Sequence, residues 1–132
     1  MKKFLTLILF TFSVLLSYSQ DWKEVKTENG IKIEYSIQEK HDESKDIHQE
    51  YYVLKFTNVT STDLSFSINI MGDYGYGMKN ISRDKDGDHD ITLGSDEFKV
   101  GDVSINYLVI FNRFLDNTSN AKLVNFEIEI TN

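Results

Sequence analysis

The chain has 132 residues with no cysteine and no proline, and 21 acidic against 14 basic residues give it a net charge of −7. The missing cysteine excludes a disulfide scaffold, a thiolate metal centre and a catalytic thiol. The acidic balance argues against nucleic acid and against anionic membranes, because binding phosphate needs a basic surface.

Residues 1–19 read as a removable secretory signal. Lys2 and Lys3 form a short positive region, and Phe4 to Leu16 is apolar except for Thr6, Thr11 and Ser13. Ser17-Tyr18-Ser19 then places small residues at both positions that a signal peptidase reads. A helix of that apolar length spans about 20 Å, short of the roughly 30 Å hydrocarbon core. Asp21 and Trp22 follow where a stop-transfer segment would be positive, and no cysteine stands ready for lipid attachment. The expected product is an exported chain, periplasmic or extracellular, in which residues 20–132 form one domain without a membrane span. A domain of this size buries about two-thirds of its unfolded surface, enough for a core without disulfides.

Beyond the signal, the dominant period is two. Strands are predicted over 22–27, 31–38, 48–58, 63–71, 78–83, 89–94, 103–113 and 121–131. Asn29-Gly30 separates the first two, and Asn-Gly is the strongest hairpin signal because a type I′ turn needs positive φ twice. Ile31, Ile33, Tyr35 and Ile37 alternate with Lys32, Glu34 and Ser36. Asp42 to Asp46 is polar and charged, hence a loop. Tyr52, Leu54 and Phe56 alternate with Val53 and Lys55, and Leu64, Phe66, Ile68 and Ile70 with Ser65, Ser67 and Asn69. Asp86-Gly87, Gly101-Asp102 and Asp116 to Asn120 mark further reversals. Tyr107 to Phe111 is apolar on both faces, which predicts a central strand. Near the end, Val124, Phe126, Ile128 and Ile130 alternate with Asn125, Glu127 and Glu129. Such alternation lines the two faces of a pleated strand and cannot line one stripe of a helix. Short strands with regular turns predict an all-β, two-sheet antiparallel sandwich of about 7–8 strands, with a small β-barrel as the alternative.

The segments NGIKIEYS (29–36), EYYVLKFTNVT (50–60), LVIFNRF (108–114) and the terminal AKLVNFEIEITN resemble a group of small secreted proteins of Bacteroidetes-type bacteria. The resemblance covers most of residues 20–132 and rests on strand-and-turn patterns. It implies an immunoglobulin-like sandwich and an exported location, and supplies no activity. Those relatives often carry cysteines in the middle region. This chain has Gly72-Asp73-Tyr74-Gly75-Tyr76-Gly77 there, so no disulfide or metal role transfers.

Two stretches could carry chemistry. Asp84, Asp86, Asp88 and Asp90 alternate around Gly87, and calcium favours such convergent hard oxygens. The EF-hand spacing fails, since His89 falls where Gly is required and Ser95 where the bidentate Glu belongs, and a solvated hairpin tip is the competing reading. The Gly-rich loop could display Tyr74 and Tyr76 as flat faces for a sugar, or pack them back on a sheet edge. His41, His48 and His89 lack zinc-finger or His-x-x-x-His spacing. No Gly-x-Ser-x-Gly or His-Glu-x-x-His is present. Glu34, Glu127 and Glu129 read as outward strand charges rather than a glycosidase pair. Asn58-Val59-Thr60, Asn80-Ile81-Ser82 and Asn117-Thr118-Ser119 match the N-glycosylation pattern.

These features point to a non-enzymatic binding module for an unknown protein or glycan. A calcium-stabilised domain and a carbohydrate-binding module are the alternatives, with a hydrolase last. No cofactor is required, calcium being the one candidate. The exported protein is expected to begin at Gln20. Its intact mass checks this, and a precursor-sized species would refute it.

Overall fold

The computed structural model describes residues 21–82, 89–116 and 119–132. The first hairpin forms at Asn29-Gly30. Both residues take positive φ, 51° and 78°, as a type I′ turn requires. They join β1 (Lys23–Glu28) to β2 (Ile31–Asp42). A second, longer hairpin pairs β2 with β3 (Ile47–Asn58) in unbroken register from Ile31 opposite Asn58 to Asp42 opposite Ile47. Its turn is one 3-10 turn, Glu43–Lys45. Asp42 caps it by accepting from Ser44 N, and Asp46 closes it with φ 52°. The polar stretch expected to be a loop thus supplies the end of β2 and this turn.

Among the described residues, six further strands complete two antiparallel sheets. The first sheet runs β1-β2-β3, and the far edge of β3 pairs with both β7 (Phe98–Val100) and β8 (Val109–Phe114). The second centres on β4 (Leu64–Asp73). One edge of β4 takes β5 (Lys79–Asn80) and β6 (Asp90–Leu93), and the other takes β9 (Asn125–Thr131). The protein is all-β, and no described helix is long and apolar enough to cross a membrane.

The core lies between the sheets and follows the period of two. Ile31, Ile33, Leu54 and Phe56 face Phe66, Ile68, Ile70 and Ile128, all buried. Tyr35, Tyr52 and Phe126 close one end, with Tyr35 and Tyr52 edge to face at 5.2 Å between ring centroids. Three expectations need correction. Val124 is 71% exposed, because β9 begins one residue later and residues 122–124 cross from one sheet to the other. Leu123 N–H there bonds Asn112 O, and Val124 N–H bonds Asp73 O. Ile37 is half exposed, since the β2–β3 hairpin projects past the core. Tyr107 to Phe111 is no central strand: β8 lies on the edge of β3. Its two apolar faces are explained by core on one side and aromatic side chains on the other.

Asn58 ties the layers at the opposite end. It is fully buried where the chain leaves β3 for β4. Its amide Nδ2 lies 2.7, 3.1 and 3.0 Å from the carbonyls of Thr62, Leu93 and Gly94. Its Oδ1 accepts from Thr60 N and Thr60 Oγ1. A carbonyl cage fixes the amide's orientation, because only the NH2 can donate to it. An asparagine so enclosed offers no nitrogen to a glycosyl donor in the folded state. Asn58→Ala removes all five of these contacts, the buried one to Leu93 O among them, and is expected to cost about 3 kcal/mol. Asn58→Asp should cost more at neutral pH, because a carboxylate would face three acceptors. Urea unfolding of both variants checks the order.

Candidate functional site

Both central strands have a broken neighbour on one edge. Along β3, β7 and β8 lie end to end, and the chain leaves the edge between them. Gly101 N–H bonds Leu54 O, and Leu54 N–H bonds Leu108 O. Residues 101 and 108 are therefore pinched together on one residue of β3. Asp102 and Tyr107 close the excursion with paired backbone bonds of 2.8 and 3.0 Å. Asp102 shapes the turn by accepting from Ser104 N and Oγ, and the Ser104 hydroxyl holds its carboxyl below the usual range. A Cβ on Gly101 would stand 2.2 Å from Leu108 O, so only glycine allows this approach.

Along β4 the matching break lies between β5 and β6. Ile81 N–H bonds Ile70 O, Ile70 N–H bonds Ser82 Oγ, and Ile68 N–H bonds His89 O. The two broken edges face each other, and a cleft of about 610 Å³ runs between them. This volume is in the range of small-molecule sites. Its aromatic wall includes Tyr51, Tyr74, Tyr107, Phe111 and Phe114, and its polar groups include Gln49, Asn80, Ser82, His89 and Asn106. Among the described residues no Asp, Glu, Lys or Arg lines it.

The aromatic wall is built from both sheets. Phe111 packs against Tyr51 at 5.7 Å, Phe114 at 4.9 Å and Tyr74 at 6.2 Å between centroids. Tyr74 O–H donates to Phe111 O at 2.6 Å, across from the second sheet to the first. Tyr51 O–H donates to Gln49 Oε1 at 2.7 Å, which turns the Gln49 amide NH2 away from that contact. Ser82 Oγ is committed to the backbone of Ile70.

The residues singled out in the sequence are distributed unevenly. Tyr74 lines the cleft, held down by its hydroxyl and by Asp73, whose Oδ1 accepts from Gly75 N and Gly77 N. Tyr76 does not line it and is 86% exposed. Asp84, Asp86 and Asp88 lie outside the described residues. Asp90 begins β6, and its Oδ1 accepts a short hydrogen bond from Ser67 Oγ. Trp22 and Phe98 both pack on the Lys55 ammonium, at 5.3 and 4.9 Å. Among the described residues no group of three or more His, Cys, Asp or Glu is arranged to hold a metal ion. Residues 106–111 were absent from the sequence candidates, and His89 was weighed there only as a zinc ligand. The signal that could have found them is the doubly apolar Tyr107 to Phe111, read as an edge with an aromatic cover.

A second polar cluster sits on the first sheet. Glu50 accepts from Asn112 Nδ2 at 2.6 Å and from Arg113 Nε at 3.2 Å. Burial holds the nearby Tyr52 phenol above its ordinary range, with Tyr35 and Glu50 adding to the rise and Arg113 opposing it.

The chain matches no protein-family model, no curated protein and no solved structure. Gly101→Ala should force the 101–108 excursion off Leu54 and cost about 1–3 kcal/mol, as overpacking does. A lower urea midpoint with an unchanged m-value is the expected result.

Proposed function

We propose that this protein is an exported, non-enzymatic binding module that takes a neutral, polyhydroxylated ligand, a glycan segment, in the cleft between its two broken edges. One observation carries this reading. In a chain with a net charge of −7, the described cleft lining has aromatic rings and uncharged amides but no charged carboxylate, ammonium or guanidinium. A sugar ring matches such a lining. Its C–H face lies on an aromatic ring, while its hydroxyls exchange hydrogen bonds with amide and imidazole edges. An anionic or cationic ligand would instead need a partner charge when desolvated.

Export is supported by the tripartite pattern of residues 1–19. The binding role, as against hydrolysis, is supported by the same described lining, since glycoside cleavage uses two carboxyl groups flanking the bond and no described carboxylate lies there.

Glycan-array screening followed by calorimetry tests the reading. A neutral oligosaccharide should bind, and Gln49→Ala and His89→Ala should each weaken it at least tenfold. Tyr76→Ala should leave it unchanged. Binding that survives Gln49→Ala with His89→Ala, or that is confined to charged ligands, would overturn the proposal.

A further inference from the structure

His41 and His48 are directly opposed across the β2–β3 ladder. Their Nδ1 atoms are 3.0 Å apart. The far nitrogen of each ring looks toward carboxylates. His41 Nε2 lies 2.8 Å from Glu39 Oε2, and His48 Nε2 lies 3.5 Å from Asp46 Oδ1 and 3.8 Å from Glu43 Oε2. An ionised carboxylate only accepts, so His41 Nε2 donates to Glu39 and its Nδ1 turns a lone pair toward His48. A hydrogen on His48 Nδ1 makes the contact a neutral N–H···N bond, and the other tautomer of His48 sets two Nδ1 lone pairs side by side, as a chelate needs. Metal-bound histidines show the division already present at His41, with one nitrogen on the metal and the other donating to a carboxylate.

We infer that the tip of the β2–β3 hairpin is a two-histidine chelate for a late first-row divalent cation, bound through His41 Nδ1 and His48 Nδ1. Glu39, Glu43 and Asp46 act as acceptors behind the rings. Imidazole suits copper, nickel and zinc, and affinity peaks at Cu2+ in this series. Calcium and magnesium prefer oxygen ligands and do not compete here. Two nitrogens at about 2.0–2.1 Å from one ion lie about 2.9–3.4 Å apart, from right-angled to tetrahedral geometry. The present separation falls in that range, so binding asks only that the rings turn to aim both lone pairs at one point. The side chains are 46% and 22% exposed, so the turn disturbs no core packing. No third described ligand joins them, and water completes the coordination. This site is separate from the cleft and stands or falls without it.

Calorimetric titration of the purified protein with CuCl2 and with ZnCl2, in a non-coordinating buffer, tests the inference. One ion per chain is expected, with Cu2+ the tighter. His41→Ala and His48→Ala should each weaken uptake at least tenfold. Glu39→Gln keeps both histidines and should weaken it about tenfold, the usual effect of losing such an acceptor. In imidazole NMR spectra, Zn2+ should move His41 and His48 and leave His89 in place. No saturable uptake of either ion overturns the inference and leaves the pair an imidazole–imidazole hydrogen bond. Uptake that His48→Ala leaves intact, or zinc shifts confined to other groups, overturns it equally.

Discussion

One buried amide sets the geometry on which the rest depends. Asn58 sits at the point where the chain must leave one sheet and begin the other. A crossing of that kind brings the backbone carbonyls of two connections and a strand end together, and they are held by whatever donor reaches all of them. Asn58 answers three of them with one NH2 group. Its own backbone extends the clamp, since Asn58 N–H bonds Glu97 O and Asp96 N–H bonds Asn58 O. The segment after β6 is thereby pinned to the end of β3. That position lets β7 pair with Lys55 to Thr57. Gly101 then meets Leu54, and β8 is carried along the upper half of the same edge. The cleft is the downstream result of this sequence of constraints.

Edges explain why the cleft can be apolar. An exposed apolar edge strand invites pairing with another chain. β8 avoids this through the corner at residues 122–124, where Arg113 bridges Lys122 and Asn112 O takes Leu123 N–H. β1 is interrupted by a register shift between Glu24 and Lys26. β9 directs Glu127 and Glu129 away from the core. The cleft mixes aromatic and aliphatic side chains with the polar groups of Gln49, Asn80, Ser82, His89 and Asn106, a surface that suits a ligand better than a second strand.

Local patterns were legible where one rule acts alone. Asn29-Gly30 could be read as a type I′ turn because both positions need positive φ and the residues suit it. The Leu64 to Ile70 alternation marked the inward face of β4 correctly, since Phe66, Ile68 and Ile70 are buried while Ser65 and Asn69 are exposed. Reading failed where two environments meet. Val124 continues the apolar alternation of β9, yet it falls on the crossing between sheets. Tyr107 to Phe111 looked doubly buried because its second cover is aromatic side chains from Tyr51 and Tyr74, which no local window contains. The His41–His48 contact was implicit in a register that pairs Ile31 with Asn58. Spacing rules miss it because the two residues belong to different strands.

The two proposed sites divide the chemistry of an acidic protein by distance. At physiological ionic strength the Debye length is about 8 Å, so charges far across the surface are screened. The net charge therefore does not decide what the cleft accepts; its lining does. There the described side chains include no carboxylate, ammonium or guanidinium, and discrimination falls to hydrogen-bond geometry. At the hairpin tip the logic reverses. Glu39, Glu43 and Asp46 stand within a few ångströms of the imidazoles, well inside the screening length, and a cation there is held by local charge and by nitrogen lone pairs. The long β2–β3 hairpin makes the separation feasible. By projecting beyond the core it keeps Glu39, Glu43 and Asp46 in water, with side chains 56%, 85% and 88% exposed, so that their charge is set beside the imidazoles without being buried.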